Sequence, residues 1–200
     1  MEKNLISSCR IGIFGGAFDP LHIGHYIIAN VVLDELKLEK LFIVPTFISP
    51  FKYRQGDNDA DFRFNMLKKV FKSNHRIEIS DYEINKKQIS YSINTINYFH
   101  DKFNVSPYFI IGEDNFISIK KWKNSKEIIE KVKFAVYPRR IENEDIKNAD
   151  NKEIIEYIDI CAPKIDISST MIRERVYNNK TIDGMVPDKI LDEVKKHYGK

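Results

Sequence analysis

The chain is expected to fold as a doubly wound α/β protein: a mostly parallel sheet with flanking helices and a small C-terminal helical part. Two observations carry this. Short runs rich in β-branched and aromatic residues alternate with stretches of helical periodicity along the 200 residues, the pattern of βαβ units. Several of the runs are apolar nearly throughout rather than alternating, as strands covered on both faces are. A chain of this length buries a sizeable core and suits one domain, taken as 1–200 with the helical portion from about 168 to 200.

The expected strands are Arg10–Phe14, Lys40–Pro45, Arg76–Ser80, Tyr108–Ile111, Lys133–Tyr137 and Tyr157–Cys161. After the first, Ile28, Val31, Val32 and Leu36 fall on one face of a helix. Asp59–Lys72, Ser90–Phe103 and Ser125–Lys131 are the next helical stretches. Pro187 suits a first helical position, with Ile190, Leu191, Val194 and Tyr198 on one side of the closing helix. Phe47–Asp61, broken by Pro50 and Gly56, and the charged Arg139–Lys152 read as loops. In such sheets ligands gather at the carboxyl ends of the strands, where the strand order reverses.

Lys and Arg number 32 against 29 Asp and Glu, a formal charge of +3. That balance gives no whole-protein reason to expect nucleic acid. No apolar run reaches membrane-spanning length, and the N-terminus lacks a signal-peptide core. Cys9 and Cys161 fit neither a disulfide framework nor a zinc site, and read as buried free thiols in a reducing, cytoplasmic compartment. The composition leaves oligomeric state open and is compatible with a homo-oligomer.

The chemistry is concentrated after the first strand, in Gly15-Gly16-Ala17-Phe18-Asp19-Pro20-Leu21-His22-Ile23-Gly24-His25. Gly15 and Gly16 let backbone approach a ligand, and the helix start that follows offers unpaired N–H groups to phosphate. His22 and His25, three apart, can face the same way and donate to phosphoryl oxygens. Taken singly these features are weak: a lone histidine at a helix start also serves as a cap, and a metal site would need a third ligand that the spacing does not supply. The fingerprint G-x-G-x-x-G and the loop G-x-x-x-x-G-K-[ST] are both absent. Roughly 150 residues later comes Ile167-Ser168-Ser169-Thr170-Met171-Ile172-Arg173. Its hydroxyls are N-cap signals. Arg173, a cation near the positive end of a helix, makes sense if an anion arrives there.

The string GGAFDPLHIGH resembles the signature of the nucleotidyltransferases of the HxGH superfamily, whose fold is Rossmann-like, and ISSTMIR resembles that superfamily's ATP-phosphate segment. Further motifs resemble the bacterial nicotinate-mononucleotide adenylyltransferases. These are Pro45–Lys52 for their P-x-x-x-P-P-H-K loop, Ser90–Thr95 for S-Y-T-x-x-T, Ile111–Asp114 for I-G-x-D, Trp122, and Val186-Pro187. The resemblance implies ATP as co-substrate, Mg²⁺ bridging its phosphates, and nicotinate mononucleotide as acceptor, with no nucleic acid and no membrane involved. It implies His22, His25, Lys52 and Arg173 as catalytic. Gly15, Gly16, Ala17, Phe18, Gly112, Asp114, Ile167, Ser168, Ser169 and Thr170 join the two histidines and Arg173 around ATP. Gly16, Ala17, Lys52, Ser92, Trp122, Lys123 and Arg139 fall to the nicotinate nucleotide. The chain departs from the family at Phe51 (for the loop histidine), Lys123 (for an aromatic) and Arg139-Arg140 (for R-P-G). Nicotinamide mononucleotide and phosphopantetheine remain alternative acceptors, and a non-catalytic nucleotide sensor is the alternative of another class.

Overall fold

A computed structural model of the chain describes residues 9–50, 59–137 and 157–200. Six strands form one sheet: β1 (Ile11–Gly16), β2 (Lys40–Pro45), β3 (Ile77–Ile79), β4 (Tyr108–Gly112), β5 (Lys133–Tyr137) and β6 (Tyr157–Asp159), in the order β3-β2-β1-β4-β5-β6. Every pairing among them is parallel, so the mostly parallel sheet expected from the sequence is wholly parallel among the described residues. β1 continues through both glycines because Gly16 still pairs with Pro45. β3 and β6 are shorter than their apolar runs suggested, three residues each.

Among the described residues the helices are α1 (Ile23–Glu35), α2 (Ala60–Phe71), α3 (Tyr82–Lys86), α4 (Ser92–Phe103), α5 (Glu113–Ile117), α6 (Ser125–Lys131), α7 (Ser169–Tyr177) and α8 (Leu191–Tyr198). Pro187 stands just ahead of a 3₁₀ turn at Asp188–Ile190 that leads into α8, rather than inside the helix. Successive residues of each strand serve opposite faces of the sheet, as the pleat requires. Phe14, Leu41, Ile43, Ile110 and Ala135 join a core with α1, α2, α7 and α8. Ile11, Ile13, Phe42, Val44, Phe109, Ile111, Phe134 and Val136 join a second core with α4, α5 and α6. This two-sided burial is why the strands read as apolar runs. The expected face of α1 holds for Ile28, Val32 and Leu36, which are buried with Ala29 and Leu33, while Val31 packs at the margin.

Two expectations need amendment. The thiols are not buried: Cys161 is exposed and Cys9 half-buried. Of the loop expected at Phe47–Asp61, residues 51–58 lie outside the described set, and its first residues are anchored by a bridge between Ile48 and Ile89. The loop expected at Arg139–Lys152 lies wholly outside it. Among the described residues no helix is long and apolar enough to cross a membrane.

Two buried features are informative about stability. A Cβ on Gly12 would come within 2.7 Å of Leu38 Cδ1 and 2.9 Å of Leu41 Cδ1, so β1 approaches its neighbours more closely there than a side chain allows. Glu83 of α3 is a buried acid. Its Oε1 accepts from the Thr95 hydroxyl of α4, while its Oε2 has no hydrogen-bond partner among the described residues. Burial pushes this carboxyl up, against the opposing pull of neighbouring hydroxyls and of Arg63.

Gly12→Val should therefore cost about 1–3 kcal/mol by overpacking, measured by urea unfolding. For Glu83 the folded state holds the proton more tightly than the unfolded chain. Its contribution to stability is fully present below the unfolded value near pH ~4 and is lost as pH rises through the folded one. Glu83→Gln should accordingly gain in melting temperature relative to the parent as pH is raised above the ordinary carboxylate range, because only the parent then has to ionise a buried acid.

Candidate active site

The carboxyl end of β1 lies where the chain turns from building the sheet in one direction to building it in the other, between β2 and β4. A Cβ added at Gly15 would meet nothing within 4 Å, so the space beside the strand end is open. From here the chain passes through Phe18, in the left-handed region at φ +50°. The Phe18 ring is 1 % exposed and packs edge-on against Phe14 and His25. The ring is therefore a support for His25 rather than a surface open to a ligand.

The two histidines form a reciprocal cap on α1. His25 N–H donates to His22 Nδ1 and His22 N–H to His25 Nδ1, both at 3.3 Å. Their rings stack with centroids 3.6 Å apart. A backbone N–H can only donate, so each Nδ1 accepts and each neutral imidazole carries its proton on Nε2. The cap thus fixes one tautomer, with the proton of each ring on Nε2. Gly24 permits this: a Cβ there would lie 3.0 Å from His22 Nδ1. The pair borders one cavity with Tyr137 and Ile167.

The second sequence signature meets the first. Ser168 caps α7 by accepting from Met171 N–H at 3.1 Å. Ser169 donates to the Pro20 carbonyl at 2.9 Å. Arg173 Nη1 donates to the Asp19 carbonyl and lies 3.4 Å from the Asp19 carboxylate, while Nη2 reaches the Thr170 hydroxyl at 3.2 Å. Neither α1 nor α7 carries an acidic residue in its first turn. Both positive helix ends are therefore uncompensated from within, which favours an anion.

Gly112 ends β4 and caps α5, whose first turn carries Asp114. Gly112 pairs with Tyr137 across the sheet, and a Cβ on it would strike the Asp114 carboxylate. On the other face of the sheet, half-buried Trp122 packs edge-on to Phe109, and its Nε1–H lies 3.4 Å from Ser118 Oγ. Lys123 Nζ sits 4.2 Å from the centroid of the Tyr91 ring, beside Ser92 at the start of α4. Two groups emerge: the histidines, Ile167–Thr170 and Arg173 over the α1/α7 core, and Ser92, Trp122 and Lys123 over the α4/α6 core. Lys52 and Arg139, with Phe51 and Arg140, lie outside the described residues.

Sequence reasoning missed two supports. Arg63 Nη1 donates to the Ala17 carbonyl at 2.7 Å, and its Nη2 donates to the carbonyls of Thr46 at 2.6 Å and Phe47 at 3.3 Å. Tyr198 donates to the Asp19 carboxylate at 2.6 Å. Burial and that carboxylate both raise its phenol well above the usual range, so it stays a donor. Arg63 had a readable signal, since it shares the core face of α2 with Met66, Leu67 and Val70, an odd place for a cation unless it has work there. Among the described residues no group of three His, Cys, Asp or Glu is placed to hold a metal ion.

Residues 13–175 match the cytidylyltransferase-like family model. A "probable nicotinate-nucleotide adenylyltransferase" of Thermotoga petrophila is 41 % identical over 95 % of this chain and 97 % of its own length. One of Clostridium tetani is 37 % identical over 92 % and 96 %. Among solved structures, the Plasmodium falciparum nicotinic acid mononucleotide adenylyltransferase complexed with NaAD superposes with a TM-score of 0.75, covering 94 % of this chain and 95 % of that one. At 19 % identity, that likeness speaks for the fold. The chain belongs to the cytidylyltransferase-like family and, within it, to the nicotinate-nucleotide adenylyltransferases.

Proposed function

We propose that the protein transfers the adenylyl group of ATP to nicotinate mononucleotide in the cytoplasm, giving nicotinate adenine dinucleotide and pyrophosphate. The observation that carries this reading is the convergence of the capped histidine pair and Arg173 on one loop at the end of β1. The acceptor's 5′-phosphate oxygen forms a bond to the α-phosphorus in line as the bond to the α,β-bridging oxygen breaks, and pyrophosphate leaves with the electron pair. The nucleophile is already an anion, so no general base is needed. The difficulty is repulsion between two anions, about 4 kcal/mol at contact and an intermediate dielectric.

The two Nε2–H donors, the uncompensated helix starts and Arg173 act against that repulsion, most strongly where charge builds in the transition state. Lys52 is proposed to reach phosphate as well. A Mg²⁺ ion would be held mainly by the phosphates of ATP and water, and would supply further charge compensation there. Trp122 offers an aromatic face to the pyridine ring. Lys123 is proposed to pair with the nicotinate carboxylate, which favours nicotinate over nicotinamide mononucleotide. A cation held against Tyr91 next to Ser92 supports that choice.

Pyrophosphate release from ATP should appear with nicotinate mononucleotide and be weaker with nicotinamide mononucleotide or phosphopantetheine. Absence of release with the first acceptor overturns the reading. His25→Ala should keep the fold, lose about 1 kcal/mol with half of the cap, and drop turnover about a hundredfold. Lys123→Ala should narrow the preference between the nicotinate and nicotinamide acceptors, read as the ratio of kcat/KM values, and an unchanged ratio removes the ion pair.

A further inference from the structure

Arg63 stands on the core face of α2, and the residue is 6 % exposed. Among the described residues, its three hydrogen bonds all go to main-chain carbonyls. One belongs to the loop after β1, at Ala17, and two to the segment after β2, at Thr46 and Phe47. The same segment is held on its other sides. Thr46 N–H donates to Gly16 O, Phe47 N–H to Ser90 Oγ, and Ser90 N–H to Ile48 O, each at 2.9 Å. We propose that Arg63 is a positioning residue which ties the loop after β1 to the segment Thr46–Ile48 after β2, so that these two walls of the candidate site are built as one unit. This inference rests on the adenylyl-transfer reading above.

The argument is geometric. A peptide group is planar, so a carbonyl fixed on one side turns the following N–H to the opposite side. Holding the Ala17 carbonyl against Arg63 therefore turns the Phe18 N–H away from α2. Phe18 sits at positive φ, a backbone state that costs energy unless its surroundings hold it. The guanidinium supplies three donors in a rigid fork, and an ammonium at the same place reaches fewer of these carbonyls. Carbonyls do not neutralise the charge they accept. Burial disfavours the Arg63 charge, and Asp19, Tyr198, Asp59 and Glu83 at longer range favour it, so the guanidinium stays charged beneath the loop.

The test uses the full chain with Arg63→Lys and Arg63→Ala, each first shown to be folded by circular dichroism. Turnover per folded molecule should fall about a hundredfold in Arg63→Ala, with KM raised for both substrates. Millimolar guanidinium should restore part of the lost turnover, and ammonium should not. Hydrogen exchange followed by mass spectrometry should show faster exchange, by about tenfold, in the peptide covering Thr46–Ile48, the scale of a lost hydrogen bond, with strand β4 unchanged. Unchanged kcat in both variants with unchanged exchange at 46–48 overturns the proposal. So does uniform acceleration across the chain with no guanidinium rescue, which marks a purely structural role. If Arg63→Ala does not fold, Arg63→Lys decides on the same two readouts. If the parent fails to transfer adenylyl groups yet the local exchange pattern holds, the reading of function falls while the coupling of the two segments stands.

Discussion

The site exists because α7 is docked on the loop after β1. Ser169 bonds to the Pro20 carbonyl and Arg173 to Asp19, contacts that cross some 150 residues of chain. Asp19 is in turn held by Tyr198 at the end of α8. Ile23, the first residue of α1, donates its N–H to the Met185 carbonyl. The C-terminal helices are thus a wall of the site, and they are apolar on the side that joins the α1/α2 core through Ile172, Val176, Ile190 and Val194. Burial of those four side chains is the driving force, and the polar contacts fix the register.

That docking gives the histidine pair its meaning. A reciprocal cap alone would be a stability device. Set against a neighbouring helix start and a guanidinium, with both Nδ1 atoms occupied by backbone, the same two rings become fixed donors. The relative weights follow. A surface cap is worth about 1 kcal/mol, whereas a donor aimed at developing charge away from bulk water is worth about 3–4 kcal/mol of barrier. If the proposed transfer holds, the residues are better understood from the reaction than from the helix they begin.

Much of this was legible in the sequence because it is written in local, spaced patterns. Apolar runs of strand length, glycines after the first of them, hydroxyls ahead of α7 and the GGAFDPLHIGH string are all short-range signals. What escaped depends on contacts between distant segments. Arg63 stands out on the apolar face of α2, but the carbonyls it holds come together only when α2 is laid against the ends of β1 and β2, and Tyr198 looks like a core aromatic until α8 reaches Asp19. The expected burial of the cysteines failed for a related reason. Cys161 follows a three-residue edge strand whose Ile158 is itself exposed, and an edge is not visible in composition. Strand lengths for β3 and β6 missed for the same cause, since both lie at the rims of the sheet.

The pleat of β1 sends Phe14 into one helical layer and Ile13 into the other, and the two groups of site residues follow that split. On the proposed reading, each substrate would be served by its own half of the molecule, with only the strand ends in common. Under that reading, drift in the α4/α6 layer would retune which acceptor is preferred while the layer that carries the histidines and Arg173 is left undisturbed. A scaffold divided in this way can change its clientele without relearning its reaction.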